Sequence, residues 1–189
     1  MIMLFGKDRG IEAVKFRPAN MAIPKYQEIK LDMGNGIWVE IKNIGTAQSP
    51  ADLFVFVKTN SKNVLWAGNP FIGERPTIPW LFDGFFLEPV DNLNKIYNLL
   101  ADDDLVVPGH GRITNKAGIK YTVDYVNTLK QNITQAITNG LTLEQAQQSV
   151  TMKEFNNGYE LFNWLHLNFN IPNAYKDIKT NATKTAAFK

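Results

Sequence analysis

The stretch "EIKLDMGNGIWVEIKNIG" constrains the fold more than any other part of the chain. Ile29, Leu31 and Met33 alternate with polar residues, and Ile37, Val39 and Ile41 resume the alternation after the turn sequence "GNG". Alternation with a period of two indicates a half-buried strand, and a glycine-rich turn between two such strands indicates a β-hairpin. We therefore expect the chain to be organised around an antiparallel sheet.

Further strands and helices follow in series. "LFVFV" (53–57) is apolar on both faces, and 64–66 continues the sheet after a polar turn. Helical spacing of apolar residues predicts helices in 88–102 and 115–140, with Asp91 as N-cap of the first and Gly140 at the end of the second, and two shorter helices after them. The predicted fold class is mixed α/β (α+β layered), a mostly antiparallel sheet flanked by helices.

Size and composition favour one globular domain. We expect a single domain over 1–178 and a flexible basic tail over 179–189 in this chain of 189 residues. The net charge of +2 and the absence of a Lys/Arg stripe argue against a nucleic-acid partner. No apolar run suits a bilayer span or a signal peptide, so we expect no membrane contact and a cytoplasmic location. Without cysteine there is neither a disulfide nor a thiolate metal site.

Three loops carry the motifs that bear on function: "GTAQSPAD" (45–52), "AGNP" (67–70) and "VVPGHG" (106–111). Their order, with the strands and helices between them, resembles the C-terminal half of the metallo-β-lactamase-fold hydrolases. The resemblance runs from Gly34 to Gly140. It implies half of an αββα sandwich, in which the three loops would carry a histidine, a bridging aspartate and a second histidine as ligands of one or two metal ions, usually zinc.

The resemblance carries over unevenly to the ligand positions. His110 matches the histidine of Pro-Gly-His-Gly, but Gln48 stands in place of the first histidine and Asn69 in place of the bridging aspartate. The His-x-His-x-Asp-His loop of the family does not occur in this sequence. Carboxamides bring no anionic charge, and zinc sites need three or more imidazole or carboxylate ligands. We therefore expect His110 alone to bind metal weakly, and no cofactor unless a partner completes a zinc site.

The remaining candidate residues have structural interpretations. His110 is expected to hold its own turn by local hydrogen bonds, and Asp52 to bind loop amides. Asp83, in "LFDGFF", is the further carboxylate that best suits a position near the three motif loops, but the sequence favours a turn role for it before Gly84. His166 lies in an aromatic helix and is expected to pack in the core. No serine-nucleophile or nucleotide-binding motif is present.

Half of a sandwich leaves one sheet face without its partner sheet. Strands that are apolar on both faces require that face to be covered, either by a second copy in a homodimer or by a separate N-terminal half. Three functions remain open. The chain is a degenerate family member acting as a binding or scaffold protein, or a zinc-dependent hydrolase of a lactam, thioester or lactone once a partner completes its site, or a truncated product without a function of its own. Whether the chain is an enzyme stays undecided by the sequence.

Overall fold

The structure is a computed structural model that describes residues 15, 17–72, 77–81, 84–156 and 158–187, with side chains up to 182. Asp83 and the leading residues 1–14 lie outside the described residues. The elements of the described chain are β1 (Glu28–Asp32), β2 (Trp38–Asn43), β3 (Leu53–Lys58), β4 (Val64–Ile72), α1 (Leu87–Leu99), β5 (Leu105–His110), β6 (Thr114–Asn115), α2 (Lys116–Thr138), α3 (Leu143–Ser149), α4 (Phe162–Leu165) and α5 (Ile171–Ala187).

The strands form one open sheet in the order β1-β2-β3-β4-β5-β6. All neighbouring pairs are antiparallel except β4 and β5, which are parallel because α1 carries the chain across between them. The predicted hairpin is confirmed: Asp32 pairs with Trp38, and the turn residues Gly34 and Gly36 have φ of 79° and 76°. The mixed α/β fold with a mostly antiparallel sheet is thus as predicted, with one parallel pair that the local pattern did not reveal.

One face of the sheet is covered by helices. Phe54, Phe56, Leu65 and Val106 on this face are buried and belong to the main hydrophobic core. The core includes residues of α1, such as Ile96, and many residues of α2. Burial of these large apolar side chains is the main stabilising contribution available to a domain of this size.

The opposite face carries apolar side chains that are half-buried or exposed and lie outside the core cluster of the described residues. They form two cross-strand rows from β1 to β5, namely Leu31, Val39, Val57, Val64 and Leu105, and Ile29, Ile41, Val55, Trp66 and Val107. No polar residue interrupts either row. We refer to these ten residues as the open face. The alternation in "LFVFV" therefore separates a core face, with Phe54 and Phe56, from an apolar open face, with Val55 and Val57.

Helix boundaries agree with the predicted segments, but one predicted cap is wrong. Helix α1 begins at Leu87, and Asp91 lies inside it rather than at its N-cap. The free N–H groups at its start, those of Phe86 and Leu87, donate to the carboxylate of Asp177 in α5 at 3.2 and 2.9 Å. The side chain of Asp177 therefore replaces a local N-cap residue. Helix α2 ends as predicted, with Gly140 following it at φ 74°.

The C-terminal part is more continuously helical than expected. Helix α4, a short π-helical turn (His166–Asn170) and α5 follow one another without a break up to Ala187. Helical structure therefore extends past the domain boundary expected at 178, while the flexibility of 179–189 stays a prediction. Among the described residues, no helix combines the length and apolarity needed to cross a bilayer.

Candidate functional site

The C-terminal part of β4, which contains Asn69, and that of β5, which ends at His110, meet at one end of the sheet. Because β4 and β5 are parallel, their C-terminal ends lie side by side, and Asn69 and His110 lie near these ends. A Cβ at Gly109 would lie 2.2 Å from Oδ1 of Asn69 and 2.5 Å from its backbone nitrogen, so only glycine permits this close approach. Gly111 follows with φ 96°. The Pro-Gly-His-Gly turn is thus built to present an exposed His110 beside Asn69.

The Gln48 loop is fixed from both sides. The N–H of Ser49 donates to the carboxylate of Asp52 at 2.6 Å, which is the structural role expected of Asp52. Glu88, in the first turn of α1, accepts hydrogen bonds from the N–H and the hydroxyl of Thr46 at 3.2 and 3.0 Å. Burial alone would raise the pKa of Glu88, but Lys25 and these bonds lower it to about 2. The loop that carries Gln48 is therefore anchored to a helix by an ionised carboxylate.

Trp80 joins the three motif positions. Its ring stacks on the imidazole of His110 with centroids 5.6 Å apart and planes inclined by 29°. Trp80 also lines a cavity together with Gln48 and Asn69. That cavity offers about 10 Å³, roughly the space needed by one water molecule. Gln48 and Asn69 thus share a small cavity with Trp80, and His110 stacks on the ring of the same tryptophan.

A buried polar network holds the segment that carries Trp80. Asn170 donates from Nδ2 to the carbonyl of Pro79 at 2.7 Å and accepts from the N–H of Leu81 at 3.2 Å. The same amide donates to the hydroxyl of Tyr125 at 2.8 Å. Both residues that flank Trp80 are therefore bonded to one side chain of the π-helical turn.

The network continues through Tyr125 to His166. Nε2 of His166 lies 2.7 Å from the carbonyl of Val150 and Nδ1 lies 2.8 Å from the Tyr125 hydroxyl. A carbonyl only accepts, so Nε2 carries the proton and Nδ1 accepts from the tyrosine. Burial lowers the pKa of His166 and raises that of Tyr125, so both groups are neutral at pH 7. His166 is a buried structural residue, as predicted.

The residues at the motif end of the sheet do not fit a catalytic metal ion. Among the described residues, no three His, Asp or Glu side chains are grouped so that they could hold one. At this end, the donor set consists of one imidazole and two carboxamides, and the imidazole is stacked under an indole. Asp83, the further carboxylate considered from the sequence, lies outside the described residues.

No protein-family model matches the chain, and no curated protein matches it.

Sequence reasoning identified the three motif positions but missed Trp80 and the network behind it. Trp80 lies in a Pro- and aromatic-rich segment just after the "AGNP" motif, and that position was an available signal. Asn170 and Tyr125 are 45 residues apart and belong to no motif. Only the packing of α2 against the helical C-terminal part reveals their contact.

Proposed function

We propose that the chain is a non-catalytic domain that resembles half of a metallo-β-lactamase fold and acts by assembly, pairing with a second copy through the open face. One observation carries the proposal: two unbroken apolar rows cross five strands on the face away from the helices. A continuous apolar surface of this kind is a suitable centre for an interface.

We propose no hydrolytic activity because the residues at the motif end of the sheet are poor metal ligands. Hydrolysis of the kind the resemblance implies needs a metal that lowers the pKa of a bound water. Gln48 and Asn69 offer neutral oxygens, and Trp80 stacks on the remaining imidazole. Asn170 bonds to the residues on both sides of Trp80, so the buried polar network fixes the backbone that carries the indole.

The dimensions of the open face suit a dimer centre. Five strands about 4.8 Å apart and two rows about 6.8 Å apart give roughly 300 Å² of flat apolar area per copy. This lies within the size range of apolar patches that serve as interaction sites. A standard interface takes about 800 Å² from each partner, with a polar rim around an apolar centre. The two rows would supply that centre.

A second copy is the partner that the surface chemistry favours. The rows contain no charge, so the partner must present an equally apolar, gently twisted surface, and the same sheet offers one. Two sheets stacked about a twofold axis also restore the two-layer packing that a single sheet lacks. A separately encoded half would satisfy the same chemistry and is the competing outcome of the experiment.

Light scattering coupled to size exclusion tests the proposal. The chain has a mass of 21.4 kDa, and we expect a species of twice that mass that persists on dilution. A well-behaved monomer with an accessible open face would contradict the proposal. Zinc-dependent hydrolysis that appears only when a second polypeptide is co-purified would contradict it in favour of a completed hydrolase.

A further inference from the structure

The tip of the β1–β2 hairpin carries an asparagine that is followed by glycine. Three such pairs occur in the sequence: Asn35-Gly36, Asn139-Gly140 and Asn157-Gly158. Asparagine is a thermolabile residue, and a following glycine leaves the next backbone nitrogen unshielded by a side chain. Asn157 lies outside the described residues, so the first two pairs are compared below. The hairpin tip lies outside the ten residues of the open face, and the inference therefore does not rest on the proposed function.

The hairpin tip leaves the reacting groups of Asn35 and Gly36 without hydrogen bonds. The two backbone bonds that close the turn involve the residues on either side of this pair. Within the part of the chain that the structure describes, neither the N–H of Gly36 nor the carboxamide of Asn35 forms a hydrogen bond. The carbonyl of the peptide that joins them accepts one long hydrogen bond, at 3.5 Å from Nδ2 of Asn60. Both residues of the pair are exposed to water.

The corresponding groups at the end of α2 are held in place. The N–H of Gly140 donates to the carbonyl of Ile137 at 3.0 Å. Oδ1 of Asn139 accepts from Nε2 of Gln135 at 2.9 Å. Asn139 is as exposed as Asn35 by class, so hydrogen bonding, and not access to water, separates the two sites.

We propose that Asn35 is a site of spontaneous deamidation in the folded chain. The nitrogen of Gly36 loses its proton to a solvent base and bonds to Cγ of Asn35. The Cγ–Nδ2 bond breaks, and the amide nitrogen takes up a proton from solvent and leaves as ammonia. Water then opens the five-membered ring at either of its carbonyls, which gives aspartate or isoaspartate. The reaction is intramolecular, so it needs only rotation of the peptide after Asn35 to bring the two atoms together.

The modification changes both the charge and the backbone of the hairpin tip. Either product carries a carboxylate that is ionised at neutral pH, so the formal net charge of the chain falls from +2 to +1. Isoaspartate also carries the backbone through the former side chain and lengthens the turn by one methylene. The pairing of Asp32 with Trp38, which adjoins the turn, should then be loosened in the isoaspartate form.

Peptide mapping by mass spectrometry after incubation of the intact chain at mildly alkaline pH tests the proposal. Cleavage after lysine gives a peptide over 31–42 whose only asparagine is Asn35, and a peptide over 131–153 that contains Asn139. We expect Asn35 to convert at least about tenfold faster than Asn139, because ring closure at Asn139 must first break two hydrogen bonds. Equal or slower conversion of Asn35 would overturn the proposal.

Two controls separate the effect of the fold from that of the sequence. In denaturant the two asparagines should convert at similar rates, since both precede glycine and the hydrogen bonds of α2 are lost. An undiminished difference in denaturant would show that the sequence, and not the hairpin, selects Asn35, and would refute the structural assignment. Asn35→Gln should abolish the acidic species that ion exchange resolves in aged samples, because its longer side chain closes a less favourable ring. Persistence of that species in the variant would place the main modification elsewhere and contradict the proposal.

Discussion

Val55→Glu places a carboxylate in the middle of the open face. Val55 lies on the central strand of the five, between Ile41 of β2 and Trp66 of β4. In a single copy the new side chain projects from a face outside the core cluster, so the fold should tolerate it. In a sheet-on-sheet dimer the same carboxylate would be buried against the partner.

The expected effect on the dimer is large. Burying an unpaired ion costs several kcal/mol, about 3 kcal/mol as a conservative figure. Each dimer contains the substitution twice, so the free energy of association should become less favourable by about 6 kcal/mol, or about 10⁴-fold in Kd. Each dimer also loses two apolar valine side chains from its interface, which weakens association further.

Sedimentation equilibrium over a wide range of protein concentration measures the change, with circular dichroism as a check on folding. Ile113→Glu is the matched control, because Ile113 is an exposed apolar residue (67%) outside the two rows. We expect the Val55 variant to be a folded monomer and the Ile113 variant to dimerise like the unmodified chain. If the Val55 variant is folded and dimerises with unchanged Kd, the open face is not the interface.

Three further changes test the framework around the site by denaturant unfolding. Gly109→Ala should lower the unfolding free energy by about 3 kcal/mol, since its Cβ would lie 2.5 Å from the β4 backbone. In the control Gly140→Ala the new Cβ meets no atom within 4 Å, so the loss should be only about 1 kcal/mol for the positive φ. Equal losses in the two variants would contradict the close approach. Tyr125→Phe should cost about 2–3 kcal/mol because it leaves two buried groups unsatisfied. The control Tyr121→Phe, which removes a half-buried hydrogen bond to the carbonyl of Phe155, should cost about 1 kcal/mol. A smaller loss for Tyr125→Phe than for Tyr121→Phe would refute the network. Because the pKa of folded His166 is lowered, its contribution to stability is present above the ordinary histidine pKa of 6.5 and is lost as the pH falls below that value. The unfolding free energy should then drop by at most about 1.4 kcal/mol per pH unit. A drop of the same size in His166→Gln would show that other groups cause it.

Much of the sheet could be predicted because its signals are local. Alternation and the "GNG" turn define β1 and β2, and a short apolar run defines β3. The N-cap of α1 was wrongly assigned to Asp91 because the free N–H groups bond to Asp177, some 90 residues away. The parallel pairing of β4 with β5 likewise depends on where α1 packs, which no local pattern specifies.

The site could be predicted in part, because each of its three motifs is a short local stretch of sequence. The family resemblance grouped Gln48, Asn69 and His110, and the structure places Gln48 and Asn69 around one small cavity with Trp80, whose ring stacks on His110. The indole itself was not foreseen, because its position depends on Asn170 reaching across from the C-terminal helices. Contacts between segments so far apart in sequence follow from packing and leave no periodic signal.

Zinc titration of the purified chain, monitored by the imidazole NMR signals of His110, tests most directly whether the motif loops have lost their metal. We predict no stoichiometric zinc after purification and no saturable shift of these signals at low micromolar zinc, because one stacked imidazole and two carboxamides bind the ion too weakly. One zinc per chain, bound tightly and reported by His110, would contradict the account.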